Sequence, residues 1–100
     1  MPSDLLELLN ALTRKDQVWV KGYLIARYSP AVWRRDSMGS VIRYADYGDR
    51  DSEFGWEIDH IDCNGPDELS NLQPLQWRNN ARKSDQSPPA LSLLLGGTKC

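Results

Sequence analysis

The stretch Trp56-Glu57-Ile58-Asp59-His60-Ile61 alternates bulky and acidic side chains. A period of two over such a length predicts a half-buried strand. Asn64-Gly65-Pro66 follows as a strong turn signal. Leu72-Gln73-Pro74-Leu75 is a second, short extended run. Its proline cannot donate to a ladder, which predicts an edge strand. Trp77 to Ser84 reads as a helix, with Trp77 and Ala81 on one face and Arg78 and Arg82 on another. Strand, turn, short strand and helix form one unit. That unit sets the expected fold class, α+β in a small single domain.

Working outward, Ser3 to Arg14 predicts a short amphipathic helix. Ser3 or Asp4 caps it, and Leu5, Leu6, Leu8, Leu9 and Leu12 recur on one broad face. Val18-Trp19-Val20 and Tyr23-Leu24-Ile25 read as strand-like or irregular buried segments. Asp36 to Gly39 is a turn, Ser40 to Tyr44 a strand, and Tyr47 to Gly55 a polar, acidic loop. Beyond Ser87-Pro88-Pro89 the chain reads as a flexible tail. The expected organisation is an N-terminal helix over 1–17, a folded domain over 18–85 and a tail over 86–100. Trp19, Trp33, Trp56 and Trp77 are the expected core anchors.

The chain has 100 residues and a formal net charge of −2, so its bulk charge gives no support for a nucleic-acid partner. The distribution says more. Between Asp46 and Glu68 the acids far outnumber Arg50, while basic residues flank that segment on both sides. An acidic centre between basic flanks fits a cation site beside a phosphate-binding surface, and it equally fits scattered solvated charge. Cys63 and Cys100 form no C-x-x-C pair, so no zinc knuckle is expected. With no signal peptide in view, a cytoplasmic setting with reduced thiols is the expectation. No apolar run is long enough to span a membrane.

His60 is the only histidine, and Glu57, Asp59 and Asp62 surround it. Asp59 and His60 point to opposite sides of a regular strand, so the strand must end or twist there for both to serve one site. A hairpin returning to a helix can bring Asp59, His60, Asn71 and Asn80 to one concave spot. Asp59 then offers a carboxylate oxygen and Asn80 an amide oxygen, a set that suits magnesium with its waters. Zinc would want nitrogen and sulfur. His60 is left free as a general base on water, and Asn71 holds the imidazole or fixes the turn. Such a constellation suits hydrolysis of a phosphodiester. Glu57 shares a face with Asp59 and is either a neighbour of the site or a solvated strand residue.

Three words of the sequence carry a family resemblance. Trp56-Glu57-Ile58-Asp59-His60-Ile61, Asp67-Glu68-Leu69-Ser70-Asn71-Leu72-Gln73-Pro74-Leu75 and Gln76-Trp77-Arg78-Asn79-Asn80-Ala81-Arg82-Lys83-Ser84-Asp85 together resemble the HNH endonuclease motif. Trp33-Arg34-Arg35-Asp36, Tyr47-Gly48 and Phe54-Gly55-Trp56 are similar to bacterial and phage members without zinc knuckles, so the likeness covers roughly residues 18–85. The turn Asp62-Cys63-Asn64-Gly65-Pro66 is shorter than the family's usual loop.

The resemblance implies a ββα-metal fold and metal-dependent DNA cleavage. Asp59 and Asn80 match the metal ligands, with Asn79 one place off as the fallback. His60 matches the general base and Asn71 the residue that orients it, an H-N-N variant. Arg78, Arg82 and Lys83 are the expected contacts to the DNA backbone. The implied cofactor is a divalent metal, Mg²⁺ first and Mn²⁺ or another ion next. The implied partner is DNA, with a homodimer or a phage packaging protein as further partners and no membrane. The alternative is a catalytically inactive module of the same fold that binds nucleic acid or a protein. A third expectation is a structural protein whose carboxylates hold a cation for stability.

Overall fold

A computed structural model describes residues 12–85. The expected helix from Ser3 lies almost wholly outside that range, as does the tail over 86–100. Leu12 and Thr13 are not helical; helix α1 (Arg14–Trp19) begins after them. Thr13 caps it, its hydroxyl oxygen accepting from the Asp16 amide at 3.2 Å. Arg14, Lys15 and Gln17 lose little rotamer freedom in a helix. With that cap they carry Val18 and Trp19 into helical backbone, where extended or irregular backbone was expected. A three-residue apolar word has no period of its own, so the cap upstream decides. A boundary between residues 17 and 18 therefore falls inside a helix.

Tyr23 forms a single antiparallel bridge with Arg35, but Tyr23 and Leu24 are exposed rather than buried. A single bridge leaves that segment on the rim of the sheet, its outer face uncovered among the described residues. Strands β1 (Trp33–Arg35) and β2 (Val41–Arg43) pair antiparallel, with Arg34 opposite Ile42. Their turn is closed by Asp36, whose Oδ1 accepts from the amides of Met38 (3.0 Å) and Ser40 (2.8 Å). Gly39 sits there at φ +89°, a conformation open to glycine. A 3₁₀ turn (Tyr44–Asp46) and the loop expected before Trp56 follow.

Strands β3 (Trp56–His60) and β4 (Leu72–Gln76) form a second antiparallel pair, with Trp56 opposite Gln76 and His60 opposite Leu72. Helix α2 (Trp77–Asp85) follows without a break. The class is α+β, two antiparallel hairpins with short helices. Pro74 pairs with Ile58 in a two-stranded sheet, where both strands are edges, as its missing N–H requires. Gly55 is fixed by packing: a Cβ there would stand 1.8 Å from the Asp49 carbonyl oxygen.

The core is Val18, Trp19, Ile42, Trp56 and Leu72, with Tyr44 and Ile58 against it. The rings of Trp19 and Trp56 lie 5.1 Å apart, and Tyr44 meets Trp19 edge-on at 5.4 Å. Each buried indole N–H finds a carbonyl, Trp19 at Pro30 (2.9 Å) and Trp56 at Tyr44 (3.2 Å). Trp33 and Trp77 are half-buried at the rim, so two of the four expected anchors carry the centre. Cys63 is disulfide-bonded, where a reduced thiol was expected. Among the described residues no helix is long and apolar enough to cross a membrane.

Candidate functional site

Alternation along β3 sends Glu57 and Asp59 toward α2 and sends Trp56, Ile58 and His60 toward α1. Helix α2 runs beside the strand and meets it twice. The Asn80 side-chain amide donates to Glu57 Oε1 at 2.8 Å, and the Lys83 ammonium donates to Asp59 Oδ2 at 2.8 Å. Two strand residues advance about 6.7 Å and three helix residues about 4.5 Å. The long stem of Lys83 covers the difference.

Asp59 is 4 % exposed. Its Oδ2 also accepts from the side-chain amide of Gln73 at 2.9 Å, the residue directly opposite it in the ladder. Lys83 spends its remaining protons on the backbone carbonyls of His60 (2.5 Å) and Ile61 (3.3 Å). The residue expected on a DNA phosphate is therefore tied inside the hairpin–helix joint. Glu57 is gripped by Arg50 through Nε at 2.7 Å and a terminal nitrogen at 2.9 Å. This fork holds the Glu57 carboxyl below its ordinary value, and the Asn80 hydrogen bond adds to it against the opposing effect of burial.

His60 stands on the other face, at the last residue of β3. Its Nε2 meets Asp67 Oδ1 at 2.8 Å, and Asp67 also binds the Arg14 guanidinium. Arg14 first and His60 second hold the Asp67 carboxyl below its ordinary value. An ionised carboxylate only accepts, so the ring donates to it from Nε2 and turns Nδ1 away from Asp67. The strand stays regular to its end. Asp59 and His60 lie on opposite sides of the strand, and β3 ends at His60, which meets one of the two conditions, an end or a twist, under which both can serve one site.

Asn71 does not touch the imidazole. Its Oδ1 accepts from the Asp62 amide (3.0 Å), and its Nδ2 donates to the carbonyls of Asp62 and Pro66 (both 2.9 Å). It clamps the turn over residues 62–66. A Cβ on Gly65 would come within 2.8 Å of that amide nitrogen, which explains the glycine. Of the two roles the sequence left open for Asn71, the structure shows the second. Asp67, seven residues past His60, does the holding. Its one signal in sequence is that a short turn returns it alongside the strand end.

Arg78 and Arg82 are exposed on α2, and Arg78 lies over the Trp77 ring at 5.0 Å. Asn79, the fallback ligand, donates to Asp36 Oδ2 (2.9 Å) and Ser40 Oγ (2.8 Å) and belongs to a structural knot. Asp36 itself, 2 % exposed, takes four hydrogen bonds in all, including the Gln76 amide at 2.9 Å. Sequence reasoning placed it only in a turn.

The donors around Asp59 and Asn80 are hard oxygens, the kind a magnesium ion takes. Asp59 Oδ1 and the Asn80 carbonyl oxygen accept no hydrogen bond among the described residues, so each has an oxygen to give. Against this, Lys83 already neutralises Asp59, and among the described residues no three histidine, cysteine or acidic side chains converge as a metal centre. Compared with protein-family models, with curated proteins and with solved structures, the chain matches none.

Proposed function

We propose that the β3–β4–α2 unit is a ββα-metal fold of the HNH type and that the domain hydrolyses DNA phosphodiester bonds with a divalent ion. The observation that carries this reading is the His60–Asp67 pair at the strand end, one residue past the buried Asp59. His60 takes a proton on Nδ1 from a water molecule, and the Asp67 carboxylate stabilises the imidazolium that results. The water oxygen attacks phosphorus in line as the bond to the 3′ oxygen breaks. The ends are a 5′-phosphate and, once protonated, a 3′-hydroxyl. Asp59 and Asn80 would hold the ion, magnesium or manganese, whose charge stabilises the phosphate under attack. Glu57 keeps Asn80 turned so that its carbonyl oxygen is free. Arg78 and Arg82 hold the DNA backbone.

Supercoiled plasmid incubated with Mg²⁺ tests this. Nicking is expected, stopped by chelator and reduced about 10²–10⁴-fold in His60→Ala. Nicking that ignores chelator or survives in His60→Ala overturns it. One observation favours a second reading, a binding module without catalysis: the Lys83 ammonium already sits on Asp59. That module binds DNA, cuts nothing, and binds equally well as His60→Ala.

A further inference from the structure

Three hollows on the surface join end to end. The first, about 260 Å³, lies among Ile25, Tyr28, Trp33, Arg35, Val41 and Phe54. It shares Val41 and Phe54 with a second of about 360 Å³, which holds Arg78 and Arg82. The second shares Asn79 and Arg82 with a third of about 210 Å³, which reaches Lys83 and Ile61. Shared walls place the three hollows side by side in a groove-like row, and the last of them reaches Ile61, next along the chain from His60.

The groove has a chemistry. Its first part is aromatic: Trp33 and Phe54 meet edge-on at 5.1 Å, and Tyr28 beside them is 61 % exposed. Its middle is cationic: Arg78 and Arg82 point out with no carboxylate partner among the described residues. Glu53 is the one acid that lines any of the three hollows outright. Aromatic faces followed by unpaired guanidiniums are complementary to a strand whose bases are bare and whose phosphates run alongside.

We propose that this groove binds single-stranded DNA, one base entering the Tyr28–Trp33–Phe54 hollow and the following phosphates lying on Arg78 and Arg82. An intact duplex offers only base edges in its grooves, so the aromatic end has nothing to stack against there. The strand so held is led toward the end of β3. The inference deepens the nuclease reading and takes from it only the choice of DNA.

Fluorescence anisotropy on the full chain in EDTA tests it, with a labelled oligothymidine of about twelve nucleotides and a duplex of equal length. The strand is expected to bind about tenfold or more tightly than the duplex. Tyr28→Ala weakens strand binding about fivefold or more, while Tyr28→Phe binds as the parent does. Arg78→Ala with Arg82→Ala flattens the slope of log affinity against log salt by about 1.4. A duplex bound as tightly as the strand, or a Tyr28→Ala protein that binds like the parent, overturns the proposal. Without metal no cleavage enters the measurement, so plasmid nicking and strand binding succeed or fail separately.

Discussion

In the proposed reaction Asp67 would be a positioning residue, acting through the His60 ring that it holds. Its carboxylate is mostly exposed, so the ion pair with Arg14 contributes little to stability. Its weight falls on the orientation and tautomer of the ring. Asp67→Asn is therefore expected to lower the nicking kcat about tenfold with the KM for DNA unchanged, since mutation of such supporting partners costs 10–100-fold elsewhere. Asp67→Glu should restore part of it. A fall in KM and kcat together, or a large drop in melting temperature, would mark a merely structural role. The imidazole itself was legible as the candidate base because it is the only histidine. The carboxylate that holds it was not, because Asp59 and Asp62 lie nearer in sequence and both are turned elsewhere, Asp59 to Lys83 and Asp62 to the Asn64 amide.

Between elements, two polar side chains do the joining. Asp36, itself buried, binds the β1–β2 turn to the end of β4 and to α2 through hydrogen bonds to its carboxylate. Asp36→Asn removes the charge and sets an amide N–H where an acceptor is needed. It should cost about 2–4 kcal/mol in urea unfolding at neutral pH. Asn71 clamps the turn after β3, and Asn71→Ala should cost about 2–3 kcal/mol from three lost bonds. If Asn71→Ala proved neutral in stability, the clamp would be incidental. The strand, turn, strand and helix downstream of Trp56 were legible because alternation, Gly-Pro and a four-residue spacing are local signals. The segment from Val18 to Ile25 was not. Its apolar words are too short to carry a period, and a cap and a single bridge settled their form.

Across the whole molecule, the acidic bulk charge hides an ordered arrangement. Glu57 and Asp67 both answer to arginines, and Asp16 answers first to the Tyr44 hydroxyl at 2.5 Å. Each carboxyl is held below its ordinary value in the folded chain. The stability this contributes is fully present above the unfolded values and is lost as pH falls through the folded ones, below about pH 4. The melting temperature should fall between pH 5 and pH 3, as about two decades around those values allow. Glu57→Gln should fall less steeply over that window. An unchanged melting temperature there would show the pairs to be without effect. The same pairing leaves Arg78 and Arg82 uncommitted, so a chain of net charge −2 still presents a cationic groove.

The sequence by itself determined the second hairpin, its edge proline, the helix that follows and the set of polar residues the unit carries, because period, turn chemistry and spacing act over a few residues. Only the tertiary structure decided what those residues face. It turned Asp59 to Lys83 and His60 to Asp67, gave Asn71 to the turn and Asn79 to Asp36, and set three hollows side by side. Each of these depends on register and on which elements pack together. Strand alternation gives each residue a side but leaves open which neighbour lies on it.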